Sequence, residues 1–437
     1  EVAKFFSSKH IPVFLSDRAD SNKLSRTLSI LDELHIDYET GGHSDRVWKD
    51  VSLVVISPGI SIESDIVKEI VGKNIPVISE LELAFQLSLA PFIAVTGTNG
   101  KSTTTTLIGN FLSAGGFDVI VGGNIGIPLV EKAYSTTEKQ IIVAEVSSFQ
   151  LETVKYFKPS VSLLLNITSD HLDRHGSLEN YLDFKCRIFE HQKEGDYVVI
   201  NYDDPFLMRI VDRIRAEILY FSTCSEVPRG IYVYNDRIYY KNGSHSSEIC
   251  HINDLPLPGE HNLKNTMAAM LASMVYGVSP KDIVNSFSSV KGLRHRIEFV
   301  ADIEGVRFID DSKGTNPDAV IAALNSFKEP AVLIAGGVDK NMDFSAMCEF
   351  ISHRVKGLVL MGSTSDFLYK SCSGNGLTNI TRVFSMGEAV NKAFSMAEPG
   401  DVVILSPGGA SFDMFKNAED RGEKFVEAVN ALSESLR

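Results

Sequence analysis

Residues 97–103 read GTNGKST, a glycine-framed turn followed by a lysine and two hydroxyl residues. That combination can hold a phosphate group. Glycines let backbone amides close on an oxyanion, the lysine adds a point charge, and a serine or threonine hydroxyl reaches a divalent ion. The usual phosphate loop places four residues between its first glycine and the Gly-Lys-Ser/Thr ending. Only Thr98 and Asn99 separate Gly97 from Gly100 here. Spacing alone leaves two readings: a shortened nucleotide loop of Gly97, Thr98, Asn99, Gly100, Lys101, Ser102 and Thr103, or a glycine-rich turn with a solvated lysine. Downstream, IIVAEVSSFQLE ends an apolar run in Glu145, and LLLNITSDHLDRHGS carries His171 after another. A carboxylate and an imidazole beside a triphosphate can complete a magnesium site. His171 and His175 stand four apart, but HLDRH lacks the glutamate of a zinc-binding HExxH helix, so zinc is not read from it.

These groups need rigid elements behind them. FIAVTG is a buried strand and KSTTTTLIGNFLSAGG a helix ending at a glycine pair, which gives the loop the strand-turn-helix setting a phosphate cradle requires. Short apolar runs alternating with amphipathic stretches predict parallel sheets with crossover helices, and such sheets bind ligands at the carboxyl ends of their strands. The fold class predicted is α/β with three domains. Residues 1–90 form a Rossmann-like N-terminal domain, residues 91–292 a central P-loop mononucleotide-binding parallel sheet, and residues 293–437 a C-terminal Rossmann-like domain. In the last, IEFVADIEGVRFIDDS reads as a hairpin turning at Ile303 to Gly305. The segment HNLKNTMAAMLASMVYG reads as a helix and KGLRHR as a short hinge.

A formal charge of −14 disfavours nucleic acid, because no basic stripe is available to displace counterions. The five cysteines are scattered without a CxxC pair, as expected of buried thiols in a reducing compartment. No apolar run reaches the ~18 residues of a membrane span, and the start lacks a signal-peptide core, so a cytoplasmic location is expected. No heptad or apolar seam marks an oligomer, and a monomer is expected.

GTNGKST, EVSSFQLE, NITSDHLDRHGS, YLDFKCRIFE, LPGEHNLKN, GLRHRIE, DDSKGTN and SPGGASFDMFKNAEDRG, in that order, resemble the Mur ligases of peptidoglycan synthesis. SSFQLE and SPGGASFDMFKN resemble the member that adds D-glutamate to UDP-N-acetylmuramoyl-L-alanine. The resemblance implies an ATP-dependent ligase with two Mg2+ ions, working through an acyl phosphate that the amine of D-glutamate displaces as the third domain closes. It implies that Lys101, Lys185, His171 and Glu145 are catalytic. Ser102, Glu145, His171 and a carbamylated Lys185 would hold metal. Asn262, Arg296 and Asp311 join the loop in ATP binding. Asp17, Arg18, Pro58, Gly59, Asn124, Ser147, Ser148 and Gln150 would contact the UDP-sugar, and Lys313, Thr315, Lys340, Ser411, Phe412 and Phe415 the D-glutamate.

Two departures stand out. The chain opens at EVAKFFSSKH, which reads as the helix after a first strand and glycine-rich turn, and DDSKGTN carries Gly314 where the resemblance leads one to expect alanine. The alternatives are a related amide ligase for another amino acid, folylpolyglutamate synthase included, and a nucleotide-gated binding protein without ligase chemistry.

Overall fold

The computed structural model describes residues 1–257, 259–290, 292–340 and 342–436. Pro258 of LPGEHNLKN, Lys291 of the expected hinge, Asn341 and Arg437 lie outside the described residues. The chain divides into two compact units. Unit 1 comprises Glu1–Ile167, Glu179–Ile252 and Asn265–Ser286, and unit 2 comprises Thr168–Leu178, Asn253–Lys264 and Phe287–Arg437.

In unit 1 the first strands form two separate parallel pairs rather than one sheet: β1 (Phe14–Asp17) with β2 (Asp37–Thr40), and β3 (Val54–Ile56) with β4 (Val77–Ser79). Each pair has its own small core, one built on Leu28, Leu31 and Ile36 and the other on Ile56, Val67, Ile70 and Val77. A nine-stranded sheet follows. Its strands are β5 (Phe92–Thr96), β6 (Asp118–Gly123), β7 (Gln140–Glu145), β8 (Val161–Leu164), β9 (Tyr197–Asn201), β10 (Glu217–Ser222), β11 (Gly230–Tyr234), β12 (Arg237–Asn242) and β13 (His245–His251). Their order is β13-β12-β11-β10-β9-β8-β5-β7-β6. All five residues of β5 are buried, as a central strand covered on both faces must be.

This sheet differs from the wholly parallel one expected, because β12 and β13 run antiparallel at its edge. Their turns explain why. Asn235 and Asp236 both take positive φ (48° and 59°), the conformation a two-residue hairpin requires, and Gly243 (φ 63°) serves the next turn.

Unit 2 holds β14 (Glu298–Ile303), β15 (Val306–Asp310), β16 (Ala331–Gly336), β17 (Val355–Met361), β18 (Ile380–Arg382) and β19 (Val402–Gly408) in the order β14-β15-β19-β16-β17-β18. Only β14, the expected hairpin partner of β15, is antiparallel. Alternate residues feed two cores. Leu333, Leu358 and Ile404 face one with Met347 and Leu368, while Val332, Val359 and Val403 face the other with Val390 and Phe425. Burying each such side chain contributes roughly 1.5–3 kcal/mol. The strand order reverses between β19 and β16, which makes the carboxyl ends of these two strands a natural ligand position.

Candidate active site

The loop after β5 opens into the helix Lys101–Ala114. Gly97 and Gly100 adopt φ of +153° and +85°, where a side chain is strained, and a Cβ at Gly100 would also overlap Asn265 Oδ1. A neighbour braces the shortened turn. Asn166, just beyond β8, accepts the Thr98 amide on its carbonyl (3.0 Å) and the Asn99 amide on Oδ1 (2.8 Å), and its Nδ2 donates to the Asn99 carbonyl (3.0 Å). The sequence reading passed over Asn166. Its signal was an asparagine directly after an apolar strand beside the loop strand.

Lys101 Nζ donates to the Gly97 and Thr98 carbonyls at 2.9 and 2.7 Å, and Ser102 and Thr103 are buried at the helix start. Lys185 does not lie on a solvated helix face. It is 1% exposed, and its Nζ donates to Gly97 O (2.9 Å) and Thr96 Oγ1 (3.3 Å) while lying 4.6 Å from the Tyr181 ring centre. Glu145 ends β7 at 2% exposure, with Oε1 accepting from Asn124 Nδ2 at 2.8 Å. Its Oε2 is buried without a hydrogen-bond partner among the described residues. A buried carboxylate oxygen lacking a donor is costly unless a cation serves it, so the donor set here fits a magnesium ion.

The residues assigned to the UDP-sugar also lie in unit 1, with their polar groups partly engaged. Asn124 sits on Glu145, and its amide donates to the Glu145 carbonyl (2.9 Å). Ser147 and Gln150 form a capping box that opens the short helix Ser148–Leu151. Asp17 Oδ1 accepts the Ala19 amide (2.8 Å), Pro58 and Ser148 are at least half-buried, and Arg18 and Gly59 are exposed.

Unit 2 carries the remainder. His171 takes φ +54° ahead of the short helix Leu172–His175, with its amide on Asp170 Oδ1 (2.9 Å) and its Nε2 3.6 Å from Asp170 Oδ2. Lys340 Nζ reaches the same carboxylate at 3.2 Å, so buried Asp170, which the sequence reading omitted, joins the two. Asn262 is buried with its amide on the Gly259 carbonyl. Neighbouring His261 is held neutral by burial and by Arg296, with its pKa pushed down to about 4.

Asp311 follows β15 and accepts from Ser406 Oγ at 2.7 Å, and burial pushes its carboxyl up to about 7 against the pull of Ser406 and Arg296. Its neighbour Asp310 pairs with His295 Nδ1 at 2.7 Å. Lys313 Nζ contacts Glu419 at 3.1 Å, and Thr315 is half-buried. Buried Arg421 donates to Ser312 and to the Gly409 carbonyl, tying the DDSKG turn to the loop that carries Ser411. Ser411 is buried, Phe412 is 74% exposed, and Phe415 lines an open groove of about 490 Å3 with Phe384 and Met414.

Three family models match the chain in order. Residues 2–66 match the MurD N-terminal domain, residues 95–273 the Mur ligase middle domain, and residues 295–409 the Mur ligase, glutamate ligase domain. The UDP-N-acetylmuramoylalanine–D-glutamate ligase of Caldanaerobacter subterraneus subsp. tengcongensis is 44% identical over 96% of this chain and 93% of its own length. That of Clostridioides difficile (strain 630) is 39% identical over the same shares, 96% and 93%. Among solved structures, the UDP-N-acetylmuramate-alanine ligase MurC of Thermotoga maritima shares the fold, with a TM-score of 0.61 at 18% identity over 99% of this chain and 96% of that one. With three family models matched in order and relatives of about 40% identity aligned almost end to end, this chain belongs to the Mur ligase family.

Proposed function

We propose that this chain adds D-glutamate to UDP-N-acetylmuramoyl-L-alanine at the expense of ATP, in the assembly of peptidoglycan precursors. The observation that carries the chemistry is the set at the carboxyl ends of β5 and β7: a phosphate loop, a fully buried lysine and a carboxylate oxygen with no hydrogen-bond donor among the described residues. A free carboxylate resists amines. Transfer of the γ-phosphoryl group to its oxygen, with ADP leaving, turns that oxygen into part of a good leaving group. The D-glutamate nitrogen then bonds to the carbonyl carbon, the bond from that carbon to the phosphate oxygen breaks, and the amine gives up a proton. Positioning and charge neutralisation supply most of the catalysis in such transfers.

In this reading the loop residues Gly97 to Thr103 hold the ATP phosphates, with Lys101 as the point charge. Ser102 and Glu145 would hold a magnesium ion, which neutralises triphosphate charge when bound. That His171 holds a second ion, and that Lys185 is carbamylated to serve the metal, is carried by the family resemblance. Asn262, Arg296 and Asp311 serve the nucleotide. Lys313, Thr315, Lys340, Ser411, Phe412 and Phe415 serve D-glutamate, and Asp17, Arg18, Pro58, Gly59, Asn124, Ser147, Ser148 and Gln150 serve the UDP-sugar. The functional division runs 1–90, 91–292 and 293–437, in a cytoplasmic monomer. Among the described residues no helix is long and apolar enough to cross a membrane.

Phosphate release from ATP, measured with UDP-N-acetylmuramoyl-L-alanine and each amino acid in turn, tests the reading. Release is expected with D-glutamate, and release specific to another amino acid reassigns the enzyme. For Lys185→Ala, restoration of activity by short carboxylic acids is the expected mark of a missing acidic group.

A further inference from the structure

We propose that Ser406 is a positioning residue for the nucleotide-facing carboxylate of Asp311, and that Gly314 provides the room this carboxylate occupies. The inference rests on the assignment of Asp311 to the nucleotide made above.

Ser406 lies within β19, fully buried, and its hydroxyl donates to Asp311 Oδ2 at 2.7 Å. Two backbone bonds hold the two segments in register and a third closes the turn itself. The Asp311 amide donates to the Leu405 carbonyl (2.8 Å), the Gly314 amide to the Asp311 carbonyl (2.8 Å), and the Gly408 amide to the Gly314 carbonyl (2.9 Å). The hydroxyl therefore belongs to a rigid strand, whereas the carboxylate sits on the turn that leaves β15. Position 314 closes the remaining side. A Cβ built there would run into Asp311 Oδ2 and come 2.7 Å from Ser406 Oγ, both tighter than real contacts allow. A side chain at 314 would push one or both of these oxygens aside, so its absence leaves them where they meet.

The charge around Asp311 makes this donor consequential. Arg296 and the Ile297 amide favour the ionised form, neighbouring Asp310 opposes it, and Arg421 lies close enough to feel its charge. Burial outweighs the donors and lifts the carboxyl to about 7. Without Ser406 the carboxyl titrates higher still, and less of it is ionised to accept a nucleotide hydroxyl at neutral pH.

The test compares Ser406→Ala, the near-isosteric pair Ser406→Thr and Ser406→Val, Gly314→Ala and Asp311→Asn, with thermal unfolding as a check of the fold. ATP KM, D-glutamate KM, kcat and the pH profile of kcat/KM for ATP are measured for each. Loss of a hydrogen bond to a charged group predicts an ATP KM raised roughly 10-fold in Ser406→Ala, Ser406→Val and Gly314→Ala. The acid limb moves to higher pH, D-glutamate KM stays the same, and Ser406→Thr recovers most of the loss. A general packing defect would not separate threonine from valine or move the acid limb. If Asp311→Asn leaves ATP KM unchanged, the nucleotide assignment falls and the inference falls with it. If Asp311→Asn raises ATP KM while threonine and valine at 406 behave alike, the positioning role alone is wrong.

Discussion

The two candidate regions differ in what their buried carboxylates meet. Around the phosphate loop of unit 1, Lys101 and Lys185 donate to main-chain carbonyls, and Glu145 keeps one buried oxygen without a partner among the described residues. In unit 2 the buried polar groups of the turn after β15 hydrogen-bond to side chains outside that turn: Asp310 with His295, Asp311 with Ser406, and Ser312 with Arg421. In the first case the Glu145 oxygen is left for a cation to serve. In the second the side-chain bonds fix geometry. Substitutions in unit 1 should therefore strike catalysis directly, and those in unit 2 should act through orientation and pH.

Lys101→Ala gives the largest expected effect, a fall in kcat/KM for ATP of at least about 1,000-fold, or about 4 kcal/mol of transition-state stabilisation, read by phosphate release. Asn166→Ala comes next. It removes both side-chain hydrogen bonds to Asn99 and should raise ATP KM by about 10- to 100-fold with the fold intact. A smaller change would mean that the short turn holds its own shape.

Asp311→Asn probes unit 2 through stability. With the carboxyl raised from 3.8 to about 7 in the folded chain, its burial costs little at low pH and progressively more as pH climbs through that interval. The variant should therefore melt higher than the parent at pH 8, by a margin on the order of 1–3 kcal/mol that shrinks toward pH 4. A margin independent of pH would contradict the raised carboxyl. The smallest effect is expected of Phe412→Ser, since that ring is mostly exposed: stability within about 0.5 kcal/mol of the parent, and a few-fold rise in D-glutamate KM.

The loop strand, its helix and the β14–β15 hairpin were legible because apolar runs, glycine stops and a turn signal agreed locally. The antiparallel edge of the central sheet was not read, although Asn235-Asp236 and Asn242-Gly243 are hairpin dipeptides, because its strands are half-exposed and lack a continuous apolar run. The candidate site shows the same divide. Glu145 and Lys101 announce themselves by chemistry at strand ends. Asn166, Asp170 and Ser406 act through side chains 67, 170 and 95 positions away from Asn99, Lys340 and Asp311, and no local pattern encodes such a partner. Without the YLDFKCRIFE resemblance Lys185 reads from sequence as an ordinary helix lysine, because its burial depends on contacts with the distant loop strand.

The cross-strand brace at Asn166 has a practical corollary. A turn two residues shorter than the common phosphate loop keeps its curvature by leaning on the next strand, so its mechanical support is stored far away in the chain. Grafting GTNGKST alone into another α/β scaffold would transfer the letters without the scaffolding, whereas moving β5 and β8 together would carry both.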